Sequence, residues 1–156
     1  MSDRIRFGGV LEPMTWGKNT YTIIRVPTRL VEAAERWPTR RIDGSIEGSS
    51  LNLGLNKADS NVMPGSFVYM GVGLQRRLGI RPGDLVSCEF EPADPDLVPV
   101  PKDVAEAMEA AHCTSAWERK RPSERRQLLM PIDNAAREQT RAARVARLVK
   151  LLTDSS

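Results

Sequence analysis

The stretch at residues 70–91, MGVGLQRRLGIRPGDLVSCEFE, decides the fold class. Leu74 and Leu78 lie one helical turn apart and share a face, while Arg76 and Arg77 point elsewhere. Gly79 follows where a helix end favours a left-handed residue. Pro82-Gly83 is a turn pair, because proline presets φ and glycine frees the next position. The Asp84 carboxylate can tether that turn through backbone N–H groups. Val86, Cys88 and Phe90 then alternate with Leu85, Ser87 and Glu89, the pattern of a half-buried strand. A helix, a tight turn and a strand in so short a run predict an α+β unit. The expected form is a small β-barrel with a helix plugging one end.

Working outward toward the N-terminus, residues 4–11 read as a strand, with Ile5 and Phe7 alternating against Arg4 and Arg6. Gly8-Gly9 marks a bulge or a close backbone approach. Residues 12–19 read as a loop, since Pro13 and Gly17 interrupt regular structure. Residues 21–26 form the clearest strand. Thr28 is placed to cap a helix carrying Leu30, Val31, Ala34 and Trp37 on its apolar side, and Pro38 ends it. Trp37 is expected in the core. Residues 41–46 and 50–55 pair as a hairpin about Glu47-Gly48-Ser49. Residues 56–64 are a polar loop, and residues 66–70 add another strand. About six strands and two short helices therefore occupy residues 1–95, the expected β-barrel domain.

Toward the C-terminus the composition changes at Pro92. The run EPADPDLVPVPKD holds four prolines and reads as a linker or an extended crossing segment. A helical region follows at 98–154, expected to pack on the barrel. Residues 102–111 carry Val104, Met108 and Ala111 at helical spacing, and Trp117 belongs to a short helical turn. Ser123 is placed to cap the next helix, which Pro131 is expected to kink or break. The last helix runs from about residue 137 to 152, with Val145, Leu148, Val149 and Leu152 as its buried stripe.

Two cysteines far apart argue against a disulfide framework, and with one histidine they make no structural zinc site without help from carboxylates. No apolar run reaches membrane-spanning length, and MSDRIRFGG lacks the apolar segment of a secretory signal. A cytoplasmic setting is the expectation. The formal net charge is +3. Residues 1–97 balance twelve basic against twelve acidic side chains, whereas residues 117–150 carry ten against four. The basic excess is thus a property of the C-terminal third.

Two patterns resemble known families. RIDGSIEG at 41–48, RRLGIRPGD at 76–84 and YTIIRVP at 21–27 resemble a bacterial β-barrel domain family of unknown function. SERRQLLMPIDNAAREQTRAARVARLVKLL at 123–152 is similar to the C-terminal helical region of the bacteriocin-protection, YdeI/OmpD-associated family. The similarity rests on Arg125, Arg126, Ile132, Asp133, Ala135, Thr140, Arg141 and Arg144. It departs at Leu129-Met130-Pro131, where that family tends to carry an aromatic and no proline. The pair of resemblances implies a bacterial barrel followed by a helical tail, in a setting of stress or antimicrobial tolerance. The helix-Gly-Asp-strand unit is also similar to the AbrB-type DNA-binding half-barrel.

Candidate functional residues fall into three groups. Trp16, in a glycine-containing loop at the expected barrel mouth, together with Tyr21 and Arg25, suits a small-ligand or peptide contact. Arg141 and Arg144 lie in or beside the apolar sector of the last helix. They suit an anion pocket, or else salt bridges to Asp133 or Glu124 on the preceding helix. Arg125, Arg126, Arg137 and Arg147 suit a phosphate backbone, or else a solvated helix face. Adjacent His112 and Cys113 are poorly arranged as a base and a nucleophile. No motif calls for a metal or a cofactor. The leading expectation is a non-enzymatic protein that binds a small molecule or peptide. The alternatives are an AbrB-like nucleic-acid binder and an uncharacterised enzyme.

Overall fold

The computed structural model describes residues 4–154. In chain order these form β1 (Ile5–Val10), β2 (Glu12–Trp16), β3 (Asn19–Val26), α1 (Thr28–Arg36), β4 (Arg41–Ile46), β5 (Ser49–Gly54), β6 (Asn56–Lys57), β7 (Ser66–Tyr69), α2 (Val72–Leu78) and β8 (Leu85–Pro92). Four helices follow: α3 (Lys102–Ala110), α4 (Thr114–Glu118), α5 (Pro122–Asp133) and α6 (Glu138–Asp154). Two compact units divide the chain between Pro95 and Asp96.

The first unit is α+β. Its strands pair antiparallel in two four-stranded sheets, ordered β1-β8-β4-β5 and β2-β3-β7-β6. Eight strands in two sheets stand where a small β-barrel of about six strands was expected. The higher strand count has a local cause. β1 and β2 are one extended segment that turns a corner at Leu11, and β5 and β6 are another that turns at Leu55. Leu11 bonds both ways to the turn before β8, its N–H donating to Asp84 O and its carbonyl accepting from Gly83 N. Leu55 N–H donates to Arg40 O. Each segment thus contributes one strand to each sheet.

The main core lies between the inner faces of the sheets. Ile42, Ile46, Val86, Cys88 and Phe90 from the first sheet meet Ile24, Val26 and Val68 from the second. Leu30 and Ala34 of α1 and Leu74 of α2 extend this core. Each fully buried side chain of this size contributes about 1.5–3 kcal/mol. Gly9 is bare because an added Cβ would meet Ile24 of the opposite sheet, which is the close approach expected of Gly8-Gly9. The unit around β8 forms as its sequence dictates. Gly79 takes φ 70° and ends α2 with Ile80 N–H donating to Gln75 O. Gly83 takes φ 93° in the turn, and Arg81 N–H donates to Asp84 Oδ2 at 2.8 Å.

Several local expectations are corrected. Residues 12–16 are a strand, not a loop. Pro13 is tolerated there because β2 is an edge strand and that position needs no ladder donor. Pro27, not Thr28, occupies the cap position of α1. Trp37 is 59% exposed, because α1 ends at Arg36 and carries the ring past the apolar stripe.

The second unit packs four helices about Val104, Met108, Trp117, Leu129, Ile132, Val145, Leu148 and Leu152. α5 begins at Pro122, before the expected cap Ser123, and runs unbroken through Pro131 to Asp133. Pro131 lies in the last turn, so its missing donor removes one ladder bond without ending the helix. α6 starts at Glu138, leaving Arg137 in the connection.

Candidate functional site

The sheet register sets which expected site residues meet. Across β2 and β3, Met14 faces Tyr21 and Trp16 faces Asn19. Across β3 and β7, Ile23 faces Tyr69 and Arg25 faces Phe67. Directly paired residues point to one side, so Trp16, Tyr21, Arg25 and Tyr69 share the outer face of the second sheet. Trp16 is the last residue of β2 rather than part of a loop. Trp16, Tyr21 and Tyr69 form a diagonal across three strands. Tyr21 meets Tyr69 edge to face at 5.4 Å between centroids, and Phe67 meets Tyr69 at 5.1 Å. On the same face Met14, Ile23 and Phe67 are buried with Met63 in a small satellite core, against which Trp16, Tyr21, Ala58 and Val62 pack. Trp16 and Tyr21 are half-buried and Tyr69 is exposed at its rim. Toward the other end of β3, Arg25 Nε donates to Glu12 Oε1 at 2.7 Å, holding an otherwise exposed guanidinium in place. The face therefore offers aromatic surface flanked by one oriented cation.

The arginines of the helical unit are engaged internally. Arg141 grips Asp103 of α3 with two bonds, Nε to Oδ2 at 2.7 Å and Nη2 to Oδ1 at 3.0 Å. Its Nη1 donates to Ile132 O at 3.1 Å. The carboxylate partner is thus Asp103, not Asp133 or Glu124 on the preceding helix. Arg144 Nη1 donates to Pro131 O. Both arginines cover carbonyls in the last turn of α5, which have no intrahelical donors. The bidentate Arg141 holds the Asp103 carboxyl below its ordinary range, chiefly by hydrogen bonding.

The arginines considered for nucleic acid divide similarly. Arg125 donates from Nη2 to Glu118 O at 2.7 Å and from Nε to Trp117 O at 3.3 Å, with its guanidinium 6.0 Å from the Trp117 ring. It caps α4 against the core tryptophan. Arg126 is half-buried, whereas Arg137 and Arg147 are exposed. His112 is exposed with φ 56° in the turn after α3, while Cys113 is buried with Sγ toward Met108 O. Cys88 is also buried, and burial pushes its thiol up to about 11. Among the described residues no three His, Cys, Asp or Glu side chains group as metal ligands. No helix there is long and apolar enough to cross a membrane.

The helical unit coincides with a family match. Residues 98–154 match the family described as Bacteriocin-protection, YdeI or OmpD-Associated. The matched residues contain α3 to α6 and thus both ends of the Arg141–Asp103 clamp. This match does not extend over the two sheets, and the β-barrel family resemblance of residues 1–95 gains no support from it. No curated protein and no solved structure matches the chain significantly.

Two features of the site escaped the sequence. Tyr69 reads as an ordinary strand residue until the register places it beside Tyr21. Asp103 reads as a helix N-terminal acid, and its signal was the absence of another acid at the start of α3 facing Arg141.

Proposed function

We propose that the chain is a binding protein of the bacterial cytoplasm, not an enzyme. It takes a small molecule or short peptide on the outer face of the second sheet, in a setting of stress or antimicrobial tolerance. The observation that carries this reading is the diagonal of Trp16, Tyr21 and Tyr69, with Arg25 fixed beside it by Glu12. Aromatic side chains give large contact area at low entropic cost, and their polar tips add orientation. Arg25 supplies a positioned donor for a polar or acidic group of the ligand. The YdeI/OmpD-associated match supports the tolerance setting, through the description of that family alone. In this reading Arg141 and Arg144 hold the helical unit together and do not touch ligand.

A thermal-shift screen of metabolites and of acidic, neutral and cationic peptides tests the proposal. A ligand present at a hundred times its Kd adds about 2.7 kcal/mol to stability. Trp16→Ala and Tyr21→Ala are expected to abolish the shift. A screen without any shift, or a shift that both variants retain, contradicts the reading.

A further inference from the structure

The first sheet carries a feature that the aromatic face does not explain. On its outer side β1, β8 and β4 leave a cleft of about 550 Å³, lined by Arg6, Gly8, Ser45, Gly48, Ser87 and Glu89, with Phe7 and Cys88 also bordering it. The cleft is open to solvent rather than enclosed, and its volume admits a small ligand. The register creates the cleft. Gly8 faces Ser87 across β1 and β8, and Ser45 faces Glu89 across β4 and β8, so three small residues leave space beside Glu89. The rim is built by a two-residue hairpin turn. Glu47 and Gly48 both take positive φ, 48° and 80°, in the β4–β5 hairpin. The Glu47 backbone leaves the ladder there, and its carboxylate replaces the lost acceptor, taking Ser87 N–H at 2.8 Å. Glu47 N–H still donates to Ser87 O at 2.9 Å. A strained non-glycine residue thus anchors the turn against β8.

The polar groups of the cleft are unmatched in a particular way. Arg6 is 85% exposed and gives only Nε to Glu89, at 3.2 Å. Its Nη donors, and the hydroxyls of Ser45 and Ser87, have no partner among the described residues. Arg4 and Arg6 hold the Glu89 carboxyl below its ordinary range. The charges at the cleft and its rim balance, Arg4 and Arg6 against Glu89 and Glu47, so neither an anion nor a cation gains net attraction. A ligand hydroxyl, by contrast, both donates and accepts, and it suits donors beside a carboxylate and serines.

We propose that this cleft binds a short uncharged saccharide. Its hydroxyls accept from the Arg6 guanidinium, donate to the carboxylate of Glu89 and exchange bonds with Ser45 and Ser87. Gly8 and Gly48 leave room for the ring. The site is separate from the aromatic face of the second sheet, and each stands or falls without the other.

Amide chemical-shift mapping of the full chain tests this. The probes are glucose, galactose, N-acetylglucosamine and maltose, with acetate and inorganic phosphate as anion controls. At least one saccharide is expected to move the Gly8, Gly48 and Ser87 amides saturably, and neither anion is. Gly8→Val, at a position with space for a Cβ, is expected to abolish those shifts. Arg6→Ala should weaken binding about tenfold, the loss of one charge-assisted bond, and Lys150→Ala, exposed on the helical unit, should leave it unchanged. The proposal is overturned if no saccharide moves these amides or if the anions move them equally. It is also overturned if a folded Gly8→Val chain binds as before. Should Gly8→Val not fold, an unchanged affinity in Arg6→Ala overturns it.

Discussion

Gly44 faces Phe90 across β4 and β8, and a Cβ added there would overlap the Glu89 carbonyl oxygen. Backbone, unlike a flexible side chain, cannot yield without breaking the ladder. Gly44→Ala is therefore expected to cost about 3 kcal/mol, at the upper end of overpacking effects, as read by urea denaturation. His112 presents the opposite case. Its N–H donates to Glu109 O and that of Cys113 to Met108 O, the paired bonds of a helix end that glycine usually occupies. His112→Gly should stabilise by about 0.5–1 kcal/mol, since the left-handed strain exceeds the entropy cost of glycine. A fall in the urea midpoint would contradict that account. Residues governed by their immediate neighbours were legible in the sequence: Gly79, Gly83 and Asp84 do what local turn chemistry requires. Trp37 was not, because its exposure depends on where α1 stops. The left-handed His112 was not either, because nothing in its side chain asks for that conformation.

At the level of elements, the helical unit is tied by the Asp103–Arg141 pair and by arginines on the last carbonyls of α5. Asp103→Ala should cost about 1–2 kcal/mol, below the value of a fully buried pair because the carboxylate is 46% exposed. The pH dependence follows from the direction of the shift. Arg141 lowers the folded pKa of Asp103, so the pair's stabilisation is complete above the ordinary value of 3.8 and is lost as the pH falls through the folded value. The stability gap between the natural chain and Asp103→Asn should therefore stay constant near neutrality and close below about pH 4. A gap that persists in acid would remove the clamp from the account. The strand β2 and the uninterrupted α5 show what periodicity misses. Proline disfavours a strand or a helix in general, yet Pro13 lies on a sheet edge and Pro131 in a final turn. Those positions are set by tertiary pairing, which no local pattern contains.

For the whole molecule, the α+β class and the helical C-terminal region were readable from the change of period at Pro92. The division into two sheets was not, because the corners at Leu11 and Leu55 fall inside extended segments with no turn residue of their own at those positions. The same register decides function. Trp16, Tyr21 and Arg25 were selected from separate local cues, and only the pairing of β2, β3 and β7 sets them on one face with Tyr69. Residues 1–95 carry this face, and we propose that they form a domain able to fold and bind alone. Expressed without the helices, they should give a cooperative thermal transition and keep the ligand response of the full chain. The most direct measurement is amide chemical-shift mapping of the full chain with a ligand from the thermal-shift screen. The account predicts the largest shifts at Trp16, Tyr21, Arg25 and Tyr69. Shifts confined to residues 98–154, with the second sheet unmoved, would contradict it.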